Sequence, residues 1–472
     1  MNDENISPGC SGQFQDGMNF MNELKRKIDL GMLDSKKILL QSCEKKEKIT
    51  SYYNLKRAVI IDIGDRWTRY GISREFSPRG LLSSIVVSPE DGKKVHWLCN
   101  RLPEEQKRFL ILSFMKKIIN RHMLCNNGEG RLVVVENILM PSIDRKFLVD
   151  VVFGHKSLEL TDILFVPATV ATTMAYGTST ALVVNIGYNE TTVFPVFDQV
   201  TLLNSCEIGG IGSKHFLDQI RDYFDLCGKV KTEEGFLEDL TYDDLDEFDR
   251  VNLAEDIAAG LCVVSNPVRG PRFRNWSYEN KMDHFKFFPN YEIPLGKKIL
   301  IVTGFIREAA AECFFMPEKY SDNPSVPELI YKSLKKCPID YRRKCANHII
   351  ITGGPAELPG MFPRIRKELK KILREKDDGL LKTLVDEVKF LTVPDGMFSV
   401  PISRFDAWLG GAIYGSIPTY YNKVLKNQDY ARTRKVPDWT DYIDEYDIPL
   451  AGDFNVVESE QVLSVKLKKV QI

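Results

Sequence analysis

A repeated unit constrains this chain more than any other feature. Residues 58–72 read AVIIDIGDRWTRYGI: four apolar positions, an acid, one more apolar residue, a glycine, a short turn and an alternating return. Residues 181–197, ALVVNIGYNETTVFPVF, repeat that order 123 positions later, with Asn185 in the place of Asp62 and Gly187 in the place of Gly64. An apolar run ending in a glycine turn predicts a buried strand leading into a hairpin. Two copies predict an internal duplication of that unit.

The pieces between and after the copies alternate strand with helix. RLVVVENIL predicts a strand, PSIDRKFLVDVVF a helix with proline at its start, DILFVPA a strand, and TVATTMAYG a helix closed by glycine. Residues 104–124 carry apolar positions at helical spacing. NHIIITGGPAELPGM is a strand, a Gly-Gly turn and the lead into the helix FPRIRKELKKILREK; FDAWLGGAIYGSI is a helix whose glycines permit close approach. Such alternation predicts an α/β fold.

Composition narrows the function classes. The 64 Lys+Arg against 65 Asp+Glu leave a net charge of -1, which argues against a chain-wide nucleic-acid or membrane-surface field and leaves local patches open. No apolar run approaches the ~20 residues of a membrane span, and the polar start predicts no secretory leader. The 10 cysteines include no C-x-x-C, so neither zinc clusters nor a disulfide framework is expected. Residues 233–249 hold nine acids and no base, the pattern of a solvated surface segment. PVRGPRFRNW (267–276) reads as an exposed hairpin. The first 17 residues read as disordered, and 18–49 as one or two lysine-rich amphipathic helices suited to a partner.

Glycine turns between strands leave backbone N–H groups facing a cleft, where they bind phosphate oxygens if no side chain intervenes. Gly64, Gly187 and the pair Gly353–Gly354 supply three such turns. Two facing turns with a carboxylate at each incoming strand would clamp a triphosphate with hydrated Mg²⁺, and the third would cover the nucleoside.

On IDIGDRWTRYG, NIGYNETTVFPVFD, ITGGPAELPGM and AWLGGAIYGSI, the chain resembles the actin superfamily over about residues 57–436. The strings LCVVSNPVRG, KKCPIDYRRKC and RKVPDW bring it closer to the divergent actin-related branch at the pointed end of dynactin. The resemblance implies a two-lobed fold of the actin, sugar-kinase and heat-shock ATPase type, each lobe with a mixed five-stranded sheet. It divides the chain into an extension (1–56), a first lobe (57–176 with 406–436) whose outer subdomain is reduced, a second lobe (177–405) and a tail (437–472). It implies Asp62, Gly64, Arg66, Arg69, Gly187, Gly353 and Gly354 as nucleotide contacts.

Departures from actin predict the activity. Asn185 replaces the second carboxylate, Tyr188 another acid, and Thr192 the histidine that organises the attacking water; the glutamine position falls at Ala168 or Thr169. Ala258 and Ala259 stand where actin contacts the nucleoside. Asp65, near phosphate, would repel it, with Arg66 and Arg69 to compensate. Water-orienting groups supply about 10²–10⁴-fold in rate. The expectation is therefore no enzyme, no catalytic residue and no metal site, with ATP or ADP (with Mg) held without significant turnover, or an empty pocket.

Assembly departs too. Residues 73–103 replace a much longer outer segment whose loop receives the next subunit in actin. One competent pole and one defective pole terminate a filament, because heterologous contacts elongate only through both. The resemblance thus implies a structural cap on dynactin in the cytoplasm and cytoskeleton, serving dynein-dependent transport on microtubules. Its partners would be the filament-forming actin-related subunit and dynactin subunits 4, 5 and 6, without nucleic acid or membrane insertion. The alternatives are a chromatin-remodelling actin-related protein and a weak ATPase.

Overall fold

The computed structural model describes residues 57–88, 92–98, 102–123, 130–158, 160–275, 287–316, 323–376, 379, 381–392, 402–417 and 423–437. The expectations for residues 1–56 and for the tail after 437 lie outside the described residues.

The first repeat forms β1 (Ala58–Ile63) and β2 (Trp67–Ile72), antiparallel, with Asp62 opposite Arg69. β3 (Gly80–Ser83) adds to β2, while β4 (Ile85–Val87) and β5 (Lys94–His96) pair as a separate small hairpin. α1 (Glu104–Lys116) follows and widens into a π-type turn over Lys117–His122. Then come β6 (Gly130–Glu136), α2 (Ser142–Gly154), β7 (Leu160–Pro167) and α3 (Ala168–Ala175). β1, β6 and β7 run parallel, joined by helices that cover the sheet. Their unbroken apolar stretches, such as Leu132–Val135, are buried, as a sheet covered on both faces requires.

The second repeat forms β8 (Ala181–Ile186) and β9 (Thr191–Phe197), again antiparallel, with Asn185 opposite Thr192. The short β10 (Val200–Thr201) and β11 (Glu207–Gly209) pair with β9. After α4 (Ser213–Cys227), the strands β12 (Lys229–Lys231) and β13 (Leu237–Asp239), the helices α5 (Tyr242–Arg250) and α6 (Leu253–Gly260), and the strands β14 (Tyr291–Leu295) and β15 (Lys298–Val302) build an outer layer. Its four-stranded sheet has the order β13-β12-β15-β14. α7 (Gly304–Ala309), α8 (Val326–Lys336) and α9 (Ile339–Asn347) lead to β16 (Ile349–Thr352), parallel to β8, and then α10 (Met361–Glu375).

α11 (Asp406–Tyr414) packs behind the first sheet, where the buried Trp408 donates from Nε1 to the Ile60 carbonyl at 3.4 Å. β17 (Leu425–Lys426) joins the edge of β7. The first sheet therefore has six strands, β17-β7-β6-β1-β2-β3, and the second has five. The sixth strand is two residues long, too short for periodicity to reveal. With two lobes round duplicated hairpins, the chain has the actin-like α/β fold.

One local expectation needs correction. The described part of that segment, 267–275, is not an exposed hairpin: Gly270–Asn275 is a 3₁₀ turn, and Phe273 is buried within it. Arg269 donates from Nη2 to the buried Glu308 at 2.6 Å, which neutralises one of the segment's charges, while Arg272 is exposed. Cys206, Cys227, Cys262, Cys313, Cys337 and Cys345 are free thiols. Among the described residues no helix is long and apolar enough to cross a membrane.

Candidate functional site

β1 and β8 end on opposite sides of a cleft of about 870 Å³. All seven residues expected at a nucleotide site line it. The duplicated topology accounts for this, because each copy delivers its glycine turn from the end of a buried strand.

The glycines answer first to their own turns. The Gly64 N–H donates to the Trp67 carbonyl at 3.2 Å, and that of Gly187 to the Glu190 carbonyl at 2.9 Å. A Cβ would stand 2.8 Å from the first oxygen and 2.9 Å from the second, so both hairpins need glycine whether or not a ligand is bound. Gly353 has φ of +100°, and a Cβ there would overlap the Ile186 carbonyl. Gly354 faces open space.

The charged groups are already matched to one another. Asp62 is buried and accepts from Arg69 Nη1 at 3.1 Å; burial pushes its carboxyl up, and Arg69 draws it back down. Arg66 does not offset Asp65 as expected. It reaches across the cleft to Glu255 on α6, Nε to Oε1 at 2.8 Å and Nη2 to Oε1 at 2.7 Å. Its guanidinium lies 5.1 Å from the Trp67 ring centre and 6.0 Å from that of Tyr188. Asp65 instead accepts from Asn189 Nδ2 at 2.9 Å.

Ser84, His96 and Trp97 brace the first hairpin from behind. Ser84 Oγ donates to the Gly64 carbonyl at 2.6 Å, and His96 Nε2 lies 3.4 Å from the same oxygen. Trp97 donates from Nε1 to Thr68 Oγ1 at 3.2 Å and stacks on Phe114 with ring centres 4.5 Å apart.

Asp406 is a site residue that the sequence reading missed. Its only signal is an acid just ahead of the Trp–Gly-Gly helix. It accepts from Thr352 Oγ1 at 2.8 Å and from the Ala407 N–H at 2.7 Å, while Oδ2 is buried without a partner. Burial pushes its carboxyl up to about 7, against Thr352, the Ala407 N–H and Arg69, with Asp62 adding to the rise. A raised carboxyl binds its proton more tightly in the folded chain, so its contribution is favourable in acid and is lost as pH rises through about 7. Asp406→Asn is expected to keep the Thr352 hydrogen bond and to flatten that dependence between pH 5 and 8. Urea denaturation across that range checks it: the wild-type chain should lose up to a few kcal/mol relative to the variant.

These residues do not fit a hydrated magnesium ion. Of the two strand-end groups, Asp62 is taken by a guanidinium, and Asn185 carries no charge. Among the described residues no group of three or more His, Cys, Asp or Glu side chains could hold a metal. No histidine is among the lining residues, and Thr169 Oγ1 is bonded to Thr201 Oγ1 at 2.9 Å. Ala258, Ala259, Gly353 and Gly354, at the positions expected beside a nucleoside, also line the cleft.

Comparisons with known proteins agree with this architecture. The family model described as Actin matches residues 54–435. The chain is similar to actin-related protein 10 of Dictyostelium discoideum, 23% identical over 445 residues that span 81% of this chain and 89% of that protein. It is also similar to actin-related protein 3 of Oryza sativa subsp. indica, 22% identical over 324 residues, 67% of this chain and 72% of that one.

Proposed function

The chain belongs to the actin family, and from that premise we propose that it is a structural cap which closes the pointed end of dynactin's short actin-like filament. One observation carries the reading. Between β2, ending at Ile72, and α1, starting at Glu104, the described chain forms only the short strands β3, β4 and β5. That segment is tied down on the first turn through Ser84 and Trp97, which leaves little there to receive a further subunit.

The same face exposes large apolar side chains. Phe76 is 76 % exposed, Leu81 54 % and Val87 61 %, suited to burial under the adaptor subunits 4, 5 and 6. Leu139 and Ile143, at the entry to α2, are exposed as well. The likeness to actin-related protein 10 supports this branch of the family.

Function on this reading is binding, and a nucleotide in the cleft is a structural filler. ATP or ADP would sit without significant turnover, because the residues lining the cleft offer no metal set and no histidine or glutamine to orient water. The chain then acts in the cytoplasm, on the cytoskeleton, in dynein-dependent transport along microtubules. Native affinity purification with mass spectrometry tests it. Recovery of the filament-forming actin-related subunit with dynactin subunits 4, 5 and 6 is expected; recovery of chromatin-remodelling subunits in their place contradicts it.

A further inference from the structure

Two facing turns on separate lobes are held closer by any bridge between them, beyond the buried cluster in which Val183 and Val196 meet Ile60 and Val133. In a cleft that clamps a metal–triphosphate, the ligand is that bridge. Here the metal set does not fit, and side chains span the gap instead. Arg66, on the β1–β2 turn, meets Glu255 on α6, 189 residues along the chain, at 2.7–2.8 Å. Asn189, on the β8–β9 turn, meets Asp65, 124 residues away, at 2.9 Å. Tyr188 sits on the same guanidinium from the second lobe. The Arg66 and Glu255 side chains are only 20% and 29% exposed, so water screens their attraction less than on an open surface.

The pairing is complementary in both directions. The first turn contributes one acid, Asp65, and one base, Arg66; the second lobe answers with an amide and an acid. The two ties come from neighbouring residues of one turn and end on two different elements of the second lobe, so drawing the two turns apart breaks both. We infer that this chain latches its interlobe cleft with its own side chains, Arg66 to Glu255 and Asp65 to Asn189, so that closure requires no bound nucleotide. This inference concerns the cleft alone and stands whichever partners the poles bind.

Hydrogen exchange on the full chain tests it. With nucleotide removed by apyrase and EDTA, the two turns, residues 62–68 and 185–191, are expected to exchange at the rate seen with MgATP present. Arg66→Ala combined with Asn189→Ala should speed exchange at both turns about tenfold while the core of α8 and α10 keeps its protection. The reversed pair, Arg66→Glu with Glu255→Arg, should restore slow exchange. Should the Arg66 variants fail to fold, Asn189→Ala alone decides: faster exchange at both turns supports the latch, and an unchanged rate overturns it. The latch is equally overturned if nucleotide removal loosens the wild-type turns as much as the double variant does.

Discussion

Gly410→Ala is expected to destabilise the chain by about 3 kcal/mol or more. Alanine improves helix propensity over glycine by ~1 kcal/mol, which on an exposed helix would stabilise. On α11 that gain is outweighed, because a Cβ at position 410 would overlap the Ala171 carbonyl of α3, and backbone cannot rotate away as a side chain can. The two helices must separate. That displaces Trp408 from behind β1 and Asp406 from the cleft floor, so a packing fault reaches the site. Gly154→Ala is the control: it ends α2 with nothing within 4 Å of the added methyl, and should be neutral or slightly stabilising. Urea denaturation monitored by tryptophan fluorescence compares them.

Arg364→Ala is expected to cost 3–5 kcal/mol on the order expected for breaking a buried ion pair. Arg364 is 2% exposed and lies on α10. It donates from Nη1 and Nη2 to the two Glu312 oxygens at 3.0 Å each, from Nη1 to the Ser265 carbonyl at 2.7 Å, and from Nε to Glu368 at 2.9 Å. Removal strands Glu312 in the core. Burial already pushes that carboxyl up, and Arg364 is what draws it down, so without the arginine it rises further. The folded form of the variant then prefers the protonated acid, and its loss of stability grows as pH rises. Melting at pH 5.5 and at pH 8 checks the sign: the deficit should be larger at pH 8. Adding Glu312→Gln to Arg364→Ala should recover part of it, because the stranded charge is gone.

What could be read in the sequence and what could not divide by range. The hairpins at 58–72 and 181–197 were legible because a buried strand announces itself by an apolar run and its end by a glycine. So was α11, whose Gly410 and Gly411 mark a close approach even before the partner is known. The seven cleft residues followed from those turns and from the family resemblance. The partners of the charged ones did not. Asp65, Arg66 and Arg69 lie within five residues on one hairpin, and their nearness in sequence suggested that the arginines offset the acid beside a phosphate. In the fold each takes a separate partner: Asn189, Glu255 and Asp62. Two of those partners lie more than a hundred residues away, where no periodicity can point. Asp406 stayed hidden for another reason. An acid at a helix start is ordinarily solvated and favourable to the helix dipole, and only the closure of Thr352 and α11 over it reveals a buried carboxylate with an idle oxygen. Arg269 misled in the opposite sense, since its exposure was inferred from charge while Glu308 waited inside.

The polarity of the molecule is the claim on which the functional account rests. Single-filament imaging of the purified filament-forming actin-related subunit, with and without this chain, measures it directly. The account predicts that this chain binds one end only, halts gain and loss of subunits at the pointed end, leaves the barbed end growing at its own rate and forms no filaments by itself. Incorporation along the filament length, or self-assembly into fibres, would contradict it.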